Sequence, residues 1–222
     1  MTFISHRGAA GLAKENSLEA IKVAHKLSPT YIEVDINRTK DGIFVLYHGP
    51  LHKTYVGTTL DQTYHTLKSK IPEMLTLDEF IEHAPRRPYM LDIKIRTANE
   101  ELIEQMTKMP KEMRAIFTSP HPKTLNALKI AFPESKTYVS QPYSEGPIRP
   151  ISLARQYDFD GICINKWWVG SLVVKACRIS KKQIFTYTVD RPITMRIIKK
   201  LYPDISIITN RPDTYRRLFL SK

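Results

Sequence analysis

The stretch from residue 31 to residue 48 constrains this chain more than any other, because it predicts a strand with two acidic side chains on one face. Residues 32–36 read Ile-Glu-Val-Asp-Ile, and alternate side chains of a strand point to the same side. Glu33 and Asp35 therefore share a face, about 6.6 Å apart along the strand. An exposed hairpin whose acids simply face water is the alternative interpretation.

The chain is predicted to double back directly after this strand. Asp41-Gly42 is the dipeptide most typical of a tight two-residue hairpin turn, and the β-branched and aromatic residues 43–47 follow it. If Asp41 and Gly42 are the two loop residues, Asp35 faces His48 across the hairpin. A β-bulge would shift this register by one residue. The hairpin therefore predicts an imidazole beside the two carboxylates.

The rest of the chain alternates between strand and helix patterns. Strands are predicted at 2–6, 31–36, 89–95, 115–118, 137–140, 161–165, 184–189 and 205–209. Helices are predicted at 17–27, 60–67, 77–83, 98–108, 121–131, 150–157, 169–180 and 192–201, with a last one after residue 211.

Eight strands, each followed by helix, predict an α/β fold of the (β/α)8 TIM barrel type. We expect a single domain over residues 1–222, with residues 36–48 as a hairpin excursion and a small insertion after strand two. An open doubly wound sheet is the competitor. Its dinucleotide-binding version is disfavoured because no Gly-x-Gly-x-x-Gly loop follows the first strand.

Polar side chains fall at the predicted carboxyl ends of the strands, which form the active-site face of such a barrel. They are His6, Glu33, Asp35, Asp92, Lys94, Asn165, Lys166, Tyr187, Thr188 and Asn210. Strand three is informative because Asp92 and Lys94 alternate with apolar residues, where a barrel strand usually carries apolar side chains on both faces. A salt bridge between Asp92 and Lys94 at the rim is the alternative to a functional role.

Three carboxylates that converge on one mouth repel one another unless they are protonated or bridged by a cation. Glu33, Asp35 and Asp92 offer only oxygen ligands, which suit one divalent cation, Mg²⁺ or Ca²⁺, better than zinc. His6 and His48 are predicted to flank the cation, as general acid and general base on either side of a bound phosphate.

Three further side chains are predicted to bind substrate at this mouth. Arg7 and Lys94 are suited to hold the non-bridging oxygens of a phosphate, and Tyr187 ends strand seven. Together with the carboxylates and histidines, they describe metal-assisted cleavage of a phosphodiester.

Charge and composition limit which binding partners and which cellular compartment are expected for this chain. The net charge is +12, and residues 175–222 contain 12 Lys or Arg against three Asp. This basic C-terminal third would attract a phosphorylated substrate or an anionic membrane, although a solvated face is the simpler interpretation. Nucleic acid is not expected, because the cations are not clustered with stacking aromatics. Without a long apolar run, and with two cysteines that lack metal-type spacing, the chain is expected to be soluble and cytoplasmic.

Several separated blocks of sequence resemble the glycerophosphodiester phosphodiesterase family. The blocks are His6-Arg7-Gly8, Glu15-Asn16-Ser17-Leu-Glu-Ala, Glu33-Val-Asp35, Thr39-Lys-Asp-Gly42 with His48, Ile71-Pro-x-x-Leu75, Asp92-Ile-Lys94, Tyr187-Thr-Val-Asp190 and Ile208-Thr-Asn-Arg-Pro212. The resemblance implies a (β/α)8 barrel, a divalent metal on Glu33, Asp35 and Asp92, and catalysis by His6 and His48. It implies sn-glycerol 3-phosphate and an alcohol as products, through a cyclic phosphate that forms when the substrate's own glycerol hydroxyl attacks first.

Two positions depart from the family pattern. Gly49 stands where the family usually has Asp after the second histidine, and Asp92 stands where it usually has Glu. The shorter Asp92 resembles the phospholipase D toxins of the sphingomyelinase type, whose disulfides and export signal are not expected in this chain. A lipid-level phospholipase D acting at membranes, and a non-catalytic barrel that binds a phosphodiester, are therefore kept as alternatives.

Overall fold

The fold is a barrel of parallel strands surrounded by helices. A computed structural model describes residues 2–49, 61–97, 100–141 and 146–220. The strands are β1 (Phe3–Ser5), β2 (Tyr31–Arg38), β3 (Phe44–Leu46), β4 (Tyr89–Ile93), β5 (Arg114–Ser119), β6 (Lys136–Ser140), β7 (Gly161–Asn165), β8 (Gln183–Tyr187) and β9 (Ser206–Thr209). The helices are α1 (Leu18–Lys26), α2 (Tyr64–Lys70), α3 (Leu77–His83), α4 (Glu100–Lys108), α5 (Pro122–Ala131), α6 (Ile148–Gln156), α7 (Ser171–Ile179), α8 (Pro192–Leu201) and α9 (Pro212–Phe219), with 3₁₀ turns at Lys111–Met113 and Lys166–Trp168.

Strand pairing closes the barrel. β1 pairs in parallel with β2 on one side and with β9 on the other, and the wall runs in the order β1-β9-β8-β7-β6-β5-β4-β2. β3 lies outside this wall and pairs antiparallel with the end of β2. The predicted (β/α)8 barrel with a hairpin after strand two is confirmed.

The predicted register of the hairpin is wrong by one residue. Asn37 pairs with Val45, so the loop has three residues, 40–42, rather than two. Thr39 causes the difference: its backbone N–H donates to the Ile43 carbonyl at 2.9 Å, and its Oγ1 accepts the Ile43 N–H at 3.0 Å. Gly42 adopts the left-handed conformation that such a loop requires, with φ of 91°. As a result the Tyr47 N–H, not a His48 group, donates to the Asp35 carbonyl at 3.2 Å.

Helix boundaries also shift where a cap decides them. Residues 60–67 were predicted to be helical, but α2 begins at Tyr64 because the Thr63 side chain accepts the Thr66 N–H and caps the helix there. Residue 60 lies outside the described residues, as do residues 98 and 99 at the predicted start of α4. α6 begins two residues earlier than predicted.

Alternate strand residues divide the core into an outer and an inner layer. The outer layer, between strands and helices, is the larger. The inner layer consists of Ile4, Met90, Ile116, Tyr138, Cys163, Phe185 and Ile208. In it the rings of Tyr138 and Phe185 stack with centroids 4.2 Å apart. Within the described ranges, no helix is long and apolar enough to cross a membrane.

Candidate active site

The register of β2 and β4 brings three carboxylates together above the inner layer of the barrel. Asp35 pairs with Asp92, and Glu33 pairs with the inner-layer residue Met90, so all three acids point into the barrel mouth. One oxygen from each of Glu33, Asp35 and Asp92 lies within 4.8 Å of the others. This cluster could hold a metal ion.

Among the described ion pairs of the three carboxylates, those of Asp35 and Asp92 include Lys or Arg side chains, whereas that of Glu33 is with His6 alone. Glu33 is buried and accepts the backbone N–H of Arg7 at 2.7 Å. Burial, together with the neighbouring charges of Asp35 and Asp92, raises the pKa of Glu33 well above its usual value. Without a further cation at the centre, Glu33 therefore tends to keep its proton.

Asp35 is ionised because two cations contact it. Arg7 Nε lies 3.2 Å from one carboxylate oxygen and Lys94 Nζ lies 3.1 Å from the other. Burial alone would raise the pKa of Asp35, but Lys94 and Arg7 outweigh burial and lower it. Asn16 fixes the side chain further, because its amide donates to Asp35 Oδ2 at 2.9 Å and accepts the Asp35 N–H at 3.1 Å.

Lys94 also forms an ion pair with Asp92, whose other oxygen accepts the Thr118 hydroxyl at 2.9 Å. The rim salt bridge considered for Asp92 and Lys94 is therefore present, inside the same carboxylate cluster. Burial would lower the pKa of Lys94, but Asp92 and Asp35 raise it above its usual value. Lys94 is thus a fixed positive charge between two carboxylates.

His6 is held by an amide on the opposite side of the mouth. Its Nδ1 lies 2.7 Å from Oδ1 of Asn210, and its Nε2 lies 3.9 Å from Glu33 Oε2. Asn210 donates its own amide N–H to Asp190 at 2.8 Å, so its oxygen must face His6 and Nδ1 must be the protonated ring nitrogen. Burial and the charge of Arg7 lower the pKa of His6 to about 4. The imidazole is neutral at pH 7, with the Nε2 lone pair toward the carboxylates.

His48 follows the returning strand and lies on the same mouth. Its Nδ1 is 3.2 Å from the carbonyl oxygen of Gly49. Burial and the charge of Lys94 lower the pKa of His48, although Asp35 acts in the opposite direction. His48 is therefore close enough to the carboxylates to interact with them, despite the register shift in the hairpin.

The three predicted substrate-binding residues have protein partners in this structure. Arg7 bridges Asp35 and the half-exposed Glu15, whose Oε2 is 2.8 Å from Arg7 Nη1. The Tyr187 hydroxyl donates to the Gln141 carbonyl, and burial raises the pKa of Tyr187. Arg7 and Lys94 thus form ion pairs with carboxylates. Either side chain would contact a phosphate only in addition to these ion pairs.

Comparison with known proteins identifies the family. The model of the glycerophosphoryl diester phosphodiesterase family matches residues 6–214. The chain belongs to this family. It is 26% identical over 235 residues to a glycerophosphodiester phosphodiesterase of Caldanaerobacter subterraneus subsp. tengcongensis, covering 95% of this chain and 94% of the relative. It is 36% identical to human glycerophosphodiester phosphodiesterase 1 over 101 residues, which are 46% of this chain and 29% of that protein.

Solved structures share the barrel. An Oleispira antarctica phosphodiesterase in complex with the product sn-glycerol-3-phosphate has a TM-score of 0.78 at 20% identity, covering 100% of this chain and 97% of that one. A glycerophosphodiester phosphodiesterase from Thermotoga maritima has a TM-score of 0.76 at 22% identity, covering 98% of both chains. Membership of the glycerophosphoryl diester phosphodiesterase family makes this chain a phosphoric diester hydrolase.

Sequence reasoning assigned no role in the chemistry of the site to three polar residues that organise the mouth. Asn16 orients Asp35, and Asn210 with Asp190 orients His6. All three lie in the sequence blocks that resemble the family. Those blocks were the available signal, but their hydrogen bonds join residues up to 204 positions apart, which no local pattern reveals.

Proposed function

We propose that this enzyme hydrolyses glycerophosphodiesters to sn-glycerol 3-phosphate and an alcohol, with Glu33, Asp35 and Asp92 holding one divalent cation and His6 and His48 as the acid and base. The observation that carries the proposal is the meeting of three inward carboxylates and the imidazoles of His6 and His48 at one barrel mouth. The small-molecule product bound by the Oleispira antarctica relative supports the same substrate class.

The donor set fits a hard divalent cation. Three carboxylates face two cationic side chains, Arg7 and Lys94, so the ionised cluster has one negative charge in excess and would repel a phosphodiester. Burial, and then the neighbouring charges of Asp35 and Asp92, raise the pKa of Glu33. Oxygen-only ligands suit Mg²⁺ or Ca²⁺. When bound, such a cation would neutralise phosphate charge and polarise the ester toward attack.

The two histidines differ in ways that suggest separate roles. Asn210 holds His6 with an unprotonated Nε2 facing the mouth, so His6 is the better base for the substrate's glycerol hydroxyl. That oxygen attacks phosphorus, the bond to the leaving alcohol breaks, and the alkoxide takes a proton from His48. A bound phosphate would raise the pKa of His48 and favour its protonated form. In the second step water loses a proton to His48 and opens the cyclic phosphate, while the glycerol oxygen recovers the proton from His6.

The test is a product assay with defined metals. Metal-stripped enzyme is supplied with Mg²⁺ or Ca²⁺ and with glycerophosphocholine or glycerophosphoethanolamine, and sn-glycerol 3-phosphate is measured with a coupled dehydrogenase. We expect turnover only with metal, and the phosphate wholly on glycerol. Release of phosphocholine and free glycerol, or full turnover in chelator, would contradict the proposal. The Asp213→Asn variant is a matched control, because Asp213 pairs with Arg211 outside the cluster.

A further inference from the structure

Exposed aromatic and aliphatic side chains lie beside the mouth and take no part in the proposed chemistry. Directly after β7, the 3₁₀ turn Lys166–Trp168 carries Trp167, with 73% of its surface exposed, and Trp168, with 38%. Leu172, in the first turn of α7, is 82% exposed. Exposed apolar side chains become informative when several lie together on one part of the surface.

The barrel topology places these side chains on one arc of the rim. Each helix that follows a strand runs back toward the opposite end of the barrel, so its first residues lie on the same side as the active site. The first turns of α6 and α8 also carry exposed aliphatic side chains, Ile148 and Ile193. Because β6, β7 and β8 are neighbours in the wall, the segments that follow them are neighbours on the rim. We call this set the tryptophan arc: Ile148, Trp167, Trp168, Leu172 and Ile193.

Two cationic side chains lie at the arc itself. Residues 161–201 contain nine Lys or Arg and a single acidic residue, Asp190. Five of these cations lie at the far ends of α7 and α8, so the charge at the arc is that of Lys166 and Arg191. The Asp190 carboxylate accepts hydrogen bonds from the Thr209 hydroxyl and from Asn210, so it is engaged within the protein. At the arc itself, Lys166 Nζ lies 5.5 Å from the centroid of the Trp167 ring, and Arg191 precedes α8. Lys166 donates to the Thr188 carbonyl at 2.7 Å. Neither Lys166 nor Arg191 pairs with a carboxylate among the described residues, so the arc combines apolar groups with two positive charges.

We propose that the tryptophan arc docks the barrel mouth onto the surface of an anionic phospholipid bilayer. Tryptophan prefers the interface between membrane and water, where its ring is buried and its N–H stays hydrated. Lys and Arg beside it are attracted to anionic headgroups. The apolar groups project from the ends of three adjacent units of the barrel rather than lining a groove, so they suit a broad fluid surface.

Docking in this orientation turns the active site toward the lipids. A phosphodiester in the headgroup of a single-chain phospholipid would then lie near the carboxylate cluster, and such a lipid would join soluble glycerophosphodiesters as a substrate. This consequence rests on the proposed function, whereas the docking itself does not.

The chain contains its own reporter for the docking. Trp167 and Trp168 are its only tryptophans, so tryptophan emission reports on the arc alone. We expect a blue shift of the emission, and quenching by lipids brominated in the acyl chain, with vesicles of mixed phosphatidylcholine and phosphatidylglycerol. Binding should weaken with salt and with pure phosphatidylcholine, because anionic headgroups supply about fivefold in affinity for each cation. Equal binding to both kinds of vesicle would overturn the electrostatic basis of the proposal.

Variants separate the arc from the rest of the surface. In vesicle sedimentation, Trp167→Ser with Leu172→Ser should lower the partition coefficient at least about tenfold, and Arg191→Gln about fivefold. The matched control is Ile179→Ser with Leu201→Ser, two exposed side chains at the far ends of α7 and α8, which should bind as the wild type does. Equal losses in the two double variants would overturn the proposal.

Activity toward a soluble substrate distinguishes failure of the docking proposal from failure of the proposed function. The arc variant should hydrolyse glycerophosphocholine like the wild type and lose activity only toward vesicle-bound lysophospholipid. If the wild type binds anionic vesicles but cleaves neither substrate, docking stands and the proposed function fails. If the wild type does not bind vesicles, docking is overturned whatever its activity. Self-association that disappears in the arc variant, without vesicle binding, would instead assign the arc to a second copy of the chain.

Discussion

Nδ1 of His6 lies 2.7 Å from Oδ1 of Asn210, a residue 204 positions away in the chain. Asn210 is fixed in turn by Asp190, which accepts both its backbone N–H and its side-chain N–H at 2.8 Å. This chain of hydrogen bonds joins β1 to the loops after β8 and β9. It sets the ring orientation and the tautomer of the histidine that faces the carboxylates.

Asn210→Ala should lower kcat roughly 100-fold while leaving KM nearly unchanged, because His6 loses its orientation but no substrate contact is removed. Asp190→Asn should act in the same direction, since the Asn210 amide is then free to flip. The measurement is steady-state kinetics over a pH series, in which the acid limb of kcat/KM should move as the environment of His6 changes. An unchanged pH profile with a lower kcat would indicate only a structural role.

His6→Ala and His48→Ala should each lower kcat by about 10² to 10⁴, the usual contribution of general acid or base catalysis. The double variant should fall well short of the product of the two losses, because the histidines act in one proton transfer cycle. Folding should survive, since both rings lie at the open mouth; circular dichroism checks it. Normal turnover in a folded His48→Ala protein would exclude the two-histidine mechanism.

Metal affinity should rise with pH, because the cation must displace the proton that the raised pKa of Glu33 retains. The increase should approach tenfold per pH unit below that pKa and level off above it. Calorimetric titration with Mg²⁺ in buffers of different ionisation heat should show up to one proton released per ion. Asp92→Asn should weaken binding and turnover together. Retention of both would leave Asp92 as the partner of Lys94 alone.

The raised pKa of Glu33 also predicts how the unfolding free energy of the metal-free enzyme changes with pH. A carboxyl group whose pKa is raised by folding stabilises the protein while it is protonated, and that contribution is lost as pH rises through the raised value. The metal-free enzyme should therefore lose unfolding free energy relative to Glu33→Gln as pH rises above 4.5, the usual pKa of a Glu side chain. At the upper end of the pH range, saturating Mg²⁺ should make the wild type more stable than Glu33→Gln. Urea unfolding at several pH values measures both.

Gly49→Asp tests whether the family's usual carboxylate can be restored. Gly49 has a φ of 89°, so a side chain there should reduce unfolding free energy by about 1–2 kcal/mol. We nevertheless expect kcat to rise or stay level, because a carboxylate beside His48 would favour its protonated form. Gly49→Ala carries the same backbone strain without the carboxylate and is the matched control. A kcat for Gly49→Asp below that of Gly49→Ala would show that the carboxylate is unfavourable here.

Gly161→Ala should destabilise the barrel without touching the site. A Cβ at this position would overlap the Gln183 carbonyl and come within 2.8 Å of the Tyr138 ring, which is stacked on Phe185. Overpacking of this kind typically removes about 1–3 kcal/mol of unfolding free energy. Thermal unfolding should show a lower Tm with kcat unchanged below the transition. An unchanged Tm would mean that β7 and β8 can separate at little energetic cost.

The sequence determined the barrel and the identity of its acids. Alternation of strand and helix patterns is a local property, so eight strands and their order could be read directly, and the period of two put Glu33 and Asp35 on one face. Cap and turn chemistry was less accessible. Thr39 extended the hairpin loop by one residue, and Thr63 moved the start of α2, because a single side-chain hydrogen bond decides each boundary.

Only the tertiary structure decided how the site is charged. Lys94, predicted to bind phosphate, is held between Asp35 and Asp92. Burial lowers the pKa of both histidines, because it removes the solvation of their charged forms. Asn16 and Asn210 bind partners that are distant in the sequence and come close only in the closed barrel. The sequence gives the residue types of the site. The pKa values and orientations of those side chains depend on which distant groups the closed barrel brings within a few ångströms.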